Sequence, residues 1–281
     1  MAGTADALPG PPRSTVAPYR DRGVPDLHHR FIRDARSHDW EPAREVHRVL
    51  RDRTGAAAPS ELSWLLASGS AYAEQVGMDV AAGLLHECSE ADMKLVLATA
   101  VADEAKHSAV FHHYAHTVAG TVKGPGEAQQ ELSRDLWSLD DYTARFLAHT
   151  LAEGFAADEF RWFVQGLRED GLGEIYRLVR RDESRHVALG MAYLTHGPGA
   201  ERLRRLPAGL LLAAEETVLK HNDVDALASL VHRLLPATPA AQVAAWLRAR
   251  HATRMRVLLN VRDDRVRLSR RRKHIRETME V

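Results

Sequence analysis

The sequence has a single cysteine, Cys88, so no disulfide can form within the chain and nothing points to an oxidising compartment. It also lacks an excess of either charge. Lys plus Arg and Asp plus Glu each number 38, a balance that argues against a dedicated nucleic-acid binder. Residues 1–25 contain no apolar core of a signal peptide or membrane anchor; they hold five of the twelve prolines and read as a disordered tail in the cytoplasm. There is no Gly-rich phosphate loop, no convincing Ser-His-Asp set and no internal repeat. Sustained period-two alternation is missing too, so no sheet is expected. The one charged run, Arg262 to Arg276, has eight Lys or Arg in fifteen residues and reads as a solvated helix face or tail.

With 45% apolar and 27% charged residues, the 281-residue chain reads as soluble and globular. Helical patterns fill it, and the expectation is an all-α domain over 26–281 with a core bundle at about 60–196. Two short helices, Leu27 to Arg36 and Glu41 to Arg53, precede a linker at Gly55 to Pro59. Ser60 can cap a long helix to about Glu87, and Ser89, with Asp92 three residues on, starts a second to about Val118. Gly120 to Trp137, with three glycines and Pro125, is far longer than a bundle hairpin needs. Ser138 and Asp141 then open a third long helix to about Arg168. Gly171 and Gly173 break the chain before a fourth, which Gly197-Pro198-Gly199 stops after His196. Short, long, short is the connection pattern of a four-helix bundle with one long crossover. Three further helices are expected over 200–261, in a C-terminal part reaching about 275.

Two Asp-Glu-x-x-His sequences lie deep in these helices: Asp103-Glu104-Ala105-Lys106-His107 and Asp182-Glu183-Ser184-Arg185-His186. Glu and His three apart sit on one helix face, about a turn apart, and can reach one ion. Glu74 precedes Glu104 by 30 residues, and Glu153 precedes Glu183 by the same interval. One glutamate from each of two helices plus Glu-x-x-His from each of two others is the ligand set of a dinuclear carboxylate metal site. The expected ligands are therefore Glu74, Glu104, His107, Glu153, Glu183 and His186. Apolar neighbours such as Leu97, Ala100, Phe111, Leu178 and Val179 make solvation of these carboxylates expensive, and metal is the simplest relief.

Hard oxygens with imidazole nitrogens suit two iron ions, or one manganese and one iron, and the lack of available thiolates disfavours an iron–sulfur centre. Asp103 and Asp182 are placed to accept the remaining ring N–H of a histidine on the facing helix, with Lys106 and Arg185 bracing them. On helix three the turn geometry favours Glu159 as ligand while the 30-residue spacing favours Glu153. His149, one turn before Glu153, is expected in the pocket wall, and His112, His113 and His116 on the surface. His86-Glu87-Cys88-Ser89-Glu90 departs from the zincin pattern at its fifth position and reads as a helix end.

These residues resemble the ribonucleotide-reductase-small-subunit-like branch of the ferritin-like superfamily, and within it the ligand-binding oxidases. The similar stretches are Asp103 to His107, Ala152-Glu153-Gly154 and Arg181 to Val187, and Trp40-Glu41-Pro42 is similar to an upstream Trp-Asp-Pro segment. The resemblance spans roughly Phe31 to His196, puts Glu74 at the first ligand position, and favours Glu153 through the Glu-Gly pattern. It also exposes departures. The reductases' radical tyrosine falls at Phe111, and the oxidases' Tyr–Val crosslink positions fall at Ala148 and Gly77, so neither device is available. The implied activity is oxidation of a small organic substrate by dioxygen at a diiron or Mn/Fe site: hydroxylation or another monooxygenase reaction, N-oxygenation or desaturation. An electron donor is required, and a homodimer without nucleic-acid or membrane partners is expected. The alternative is a ferroxidase or iron-handling protein with no organic substrate.

Overall fold

The computed structural model describes residues 25–53 and 59–262, and among them every regular element is a helix. Two short helices, α1 (Pro25–Ser37) and α2 (Pro42–Arg51), lead into α3 (Glu61–Glu87) and α4 (Ala91–Ala119). After α5 (Glu127–Trp137) come α6 (Tyr142–Gly166) and α7 (Leu172–Thr195), and the chain continues through α8 (Gly197–Arg205), α9 (Ala208–Lys220), α10 (Val224–Leu234) and α11 (Ala240–Arg262). The expected N-terminal tail, most of the Gly55 to Pro59 linker and the basic run beyond Arg262 lie outside the described residues. No described helix is long and apolar enough to cross a membrane.

Helices α3, α4, α6 and α7 form a bundle of two antiparallel hairpins joined by one crossover. Ser60 caps α3 by accepting from the Ser63 N–H at 3.2 Å, and Asp141 caps α6 by accepting from Ala144 at 2.9 Å. The start of α4 is one residue later than expected: Glu90, not Ser89, is the N-cap, and it makes no side-chain cap bond. Asp170, in the α6–α7 turn, accepts from the Ser60 N–H and from both the Ser60 and Ser63 hydroxyls, while its carbonyl accepts from Tyr114 at 2.7 Å. The start of α3, the end of α4 and the turn are thereby fastened together.

Two segments differ from the sequence reading. The crossover, read from sequence only as a long connection, holds a helix: α5 runs within it along α3, with Gln129 beside Gly69 and the Trp137 ring against the Cα of Gly83, where any Cβ would collide with the indole. The Gly197-Pro198-Gly199 stop is instead the start of α8, with Pro198 in the first turn, where its missing N–H costs no hydrogen bond. Among the described residues four helices therefore follow the bundle, against three expected over 200–261. They pack outside it, α9 and α10 on α6, α8 on α7, and α11 on both.

The core divides into two apolar clusters. One gathers Val80, Leu84, Leu97, Phe146, Leu151 and Leu194 near the α3–α4 turn; the other gathers Ala71, Phe111, Tyr114, Phe160, Phe163 and Tyr176 at the opposite end. Between them lies a layer of buried ionisable side chains.

Candidate metal centre

That layer is made by the middle turns of the four bundle helices. Glu74 lies thirteen residues before the end of α3, and Glu104 thirteen after the start of α4, so antiparallel packing brings them level. Glu153 lies thirteen residues before the end of α6 and Glu183 eleven after the start of α7. The third long helix ends at Gly166, earlier than the Arg168 expected from sequence, and this shorter end removes most of the mismatch that favoured Glu159.

All six expected ligands are buried and converge. Two groups form, each offering ligand atoms that lie within 4.8 Å of one another. The first is Glu74, Glu104, His107 and Glu183; the second is Glu104, Glu153, Glu183 and His186. Glu104 and Glu183 belong to both, as bridging carboxylates of an ion pair would. Nδ1 of His107 stands 2.8 Å from Glu183 Oε1 and 3.4 Å from Glu74 Oε2. Nδ1 of His186 stands 3.0 Å from Glu104 Oε1, 3.3 Å from Glu183 Oε2 and 3.6 Å from Glu153 Oε2.

These approaches fall outside hydrogen-bond geometry. Glu104 Oε1, both Glu183 oxygens and the Nδ1 atoms of both histidines are buried with no hydrogen-bond partner. Orphaned polar atoms are rare in protein interiors because each costs its full desolvation energy. Here they all face one another, and a pair of hard divalent cations would satisfy them together. The donor set fits the metals.

Electrostatics point the same way. Burial, with repulsion from Glu183 next, pushes Glu74 and Glu153 well above the carboxylate range. Burial presses upward on Glu104, but His107 and His186 outweigh it and hold it low; burial and repulsion from Glu104 press upward on Glu183, and its contacts with Glu153 and His107 bring it down to about 2. Burial lowers the two imidazoles, yet the carboxylates around them raise both well above 6.5. Metal binding would displace the protons that this cluster otherwise retains.

Each histidine turns its other nitrogen to an aspartate of the opposite hairpin. His107 Nε2 is 3.4 Å from Asp182 Oδ2, and His186 Nε2 is 3.3 Å from Asp103 Oδ2. Such contacts fix the ring orientation and leave Nδ1 to face inward. Lys106 reaches Asp103 at 2.9 Å and Asp182 at 3.2 Å; Arg185 donates to Asp182 at 3.0 Å and to Asp103 more closely still. Burial works against ionisation of Asp103, but His186, Arg185 and Lys106 bring it down to about 2. The Trp40 indole N–H also donates to Asp182 at 3.0 Å, and its ring lies over His107. No periodicity could have announced a contact spanning 142 residues; Trp40 stood out only through the Trp40-Glu41-Pro42 resemblance.

The remaining candidates fall away from the centre or beside it. Glu159 is in neither group, and burial alone pushes its carboxyl up to about 7. Glu87 is exposed and paired with Arg145, and His112, His113 and His116 are exposed. His149 is buried, with Nδ1 3.2 Å from Glu153 Oε1, and burial above all lowers it to about 4, so the ring is neutral.

No family model and no curated protein matches the chain. Solved structures of an R2-like ligand-binding oxidase do. A variant with aerobically reconstituted Mn/Fe cofactor aligns with a TM-score of 0.64 at 16% identity, covering 84% of this chain and 95% of that one. A second variant, with anaerobically reconstituted Mn/Fe cofactor, aligns at 0.63 and 15% identity, over 84% and 94% of the respective chains. The chain therefore has the ferritin-like fold of the R2-like ligand-binding oxidases.

Proposed function

We propose that this protein is a dinuclear non-haem metal oxidase that uses dioxygen to oxidise a small organic molecule, with Glu74, Glu104, His107, Glu153, Glu183 and His186 holding two ions. The observation that carries this reading is the convergence of buried, unpartnered oxygen and nitrogen atoms from all four bundle helices on one layer. Two iron ions, or a manganese–iron pair as in the similar structures, would supply redox equivalents and bind dioxygen there. The chain's own groups set the conditions for that chemistry. Glu104 and Glu183, shared by both groups, hold the two positions together. Asp103 and Asp182 keep the imidazoles turned so that Nδ1 faces the ions, while Lys106 and Arg185 hold those aspartates ionised. The apolar clusters above and below exclude water, which strengthens every electrostatic contact in the layer and protects reactive species from quenching.

Monooxygenation, N-oxygenation and desaturation all draw on this arrangement and an external electron donor. The packing of α1, α2 and α8–α11 on the bundle supports reading the described residues as one helical domain. Two measurements test the reading. Protein reconstituted anaerobically should retain two metals per chain by elemental analysis after desalting; one or none removes the proposal. Turnover with ferrous iron and dioxygen should depend on an added organic substrate, whereas iron oxidation at full rate without one would make the protein a ferroxidase.

A further inference from the structure

His149 has no part in the six-residue set, yet it is one of the buried polar side chains closest to it. We propose that His149 is a positioning residue that engages Oε1 of Glu153, so that Glu153 offers only Oε2 to the second group, and that an exogenous ligand binds at that position. The inference rests on the dinuclear reading above and adds to it an inequivalence between the two positions.

The two oxygens of Glu153 are divided in the structure. Oε1 lies 3.2 Å from His149 Nδ1, whereas Oε2 lies 3.6 Å from His186 Nδ1, on the side of the shared carboxylates. At that distance the imidazole and the carboxylate oxygen are within reach of a hydrogen bond. His149 precedes Glu153 by one turn on α6, a spacing that keeps two side chains in contact along a helix. The four donors that close on one another at the second position do not include His149, which sets it apart from a ligand.

On the other hairpin the corresponding position does not face its glutamate in this way. The residue one turn before Glu74 is Ser70, and its hydroxyl is paired with the Tyr176 hydroxyl at 2.9 Å. A carboxylate held through one oxygen occupies one coordination site, whereas a chelating one occupies two. With a metal bound, the position served by Glu153 would therefore keep a site open for an external ligand, as catalytic metal sites do.

Azide binding to the diferric protein tests this. Wild type should bind azide at one iron, perturbing one of the two Mössbauer doublets; perturbation of both, or of neither, overturns the proposal. His149→Leu removes the nitrogen while filling the space. It should retain two irons but bind azide about tenfold more weakly or worse, as Glu153 closes on the metal through both oxygens. His149→Gln, which returns an N–H donor at similar reach, should restore azide binding. Unchanged azide affinity in the leucine variant would make His149 a packing residue. Loss of an iron that glutamine does not restore would make it a ligand, and either result ends the proposal. If the leucine variant does not fold, His149→Ala takes its place, with the same loss of azide affinity expected and the same results overturning the proposal. Failure of the dinuclear reading itself would show separately, as wild type that cannot hold two irons.

Discussion

The α3–α4 and α6–α7 hairpins carry the same ligand spacing and pack it in opposite ways. Each has a glutamate, a second glutamate 30 residues on, and a histidine three beyond that. Around these points the hairpins diverge. Four residues after His107 stands Phe111, buried against Tyr176 and Phe160 with ring centroids 4.9 and 6.2 Å away. Four residues after His186 stands Gly190, whose bare Cα receives Thr150 from α6. One turn before Glu74 is Ser70, tied to Tyr176; one turn before Glu153 is His149, against the carboxylate itself. The contrast teaches that ligand geometry is fixed by helix periodicity, while the surroundings of each ion position are free to specialise.

The largest effects should come from the residues the hairpins share. Glu104→Ala and Glu183→Ala each disturb both groups and should abolish binding of both metals and all oxygen-dependent turnover, measured by elemental analysis and oxygen uptake. Glu74→Ala and Glu153→Ala should each lose one metal, and Glu87→Ala and Glu159→Ala none. Metal retained in Glu153→Ala but lost in Glu159→Ala would break the matching of the two hairpins.

Packing differences should appear next, in denaturant unfolding. Phe111→Ala leaves a cavity in a fully buried aromatic cluster and should cost about 3–5 kcal/mol. Gly190→Ala drives a methyl into Thr150 and should cost about 1–3 kcal/mol. Equal, small effects at both positions would mean that the two sides are packed alike after all.

A smaller change is expected from the aspartates that hold the histidines. Asp103→Ala and Asp182→Ala should each still bind two metals at saturation but with about 10–100-fold weaker affinity at the histidine they contact, by competitive titration against a chelator. Loss at the wrong histidine would refute the cross-hairpin pairing.

The mildest prediction concerns pH. Burial raises the Glu159 carboxyl from 4.5 to about 7, so the folded state keeps a proton that the unfolded chain has released. That group's contribution is complete below pH 4.5 and is lost as pH rises toward 7. Glu159→Gln should therefore match wild type in stability at low pH and exceed it by about 1–3 kcal/mol above pH 7, with bound metal unchanged. A stability gain that does not vary with pH would exclude titration as its cause.

Much of this was legible in the sequence because it depends on helix repeat alone. Ligand candidates three apart on one helix and 30 apart across a short turn report their own proximity, and the structure brings the six together. The choice between Glu153 and Glu159 was harder, since it hinged on where α6 ends, and two residues at 1.5 Å each shift the level by about 3 Å. Helix α5 was hidden because Gly120, Gly124, Pro125 and Gly126 dominate the reading of a segment whose later part is helical. Helix α8 was hidden because proline in a first turn and proline at a stop look alike without knowing the chain's direction afterwards. Trp40 and the second, cross-hairpin contact that Lys106 and Arg185 each make depend on tertiary contacts between distant segments, which periodicity does not encode.

Each of the two groups takes three residues from one hairpin and one from the other. A nascent chain with only α3 and α4 folded thus owns no complete site, and the same holds for α6 and α7 alone. Each hairpin closes over a short turn, whereas docking the two brings together residues separated by the whole crossover that holds α5. Metal that needs all four donors would be acquired only after that docking, and it would stabilise the docked chain without rescuing a half-formed one. In a cell the right ion would then compete with the wrong ones at the end of folding, when the four helices are already in place.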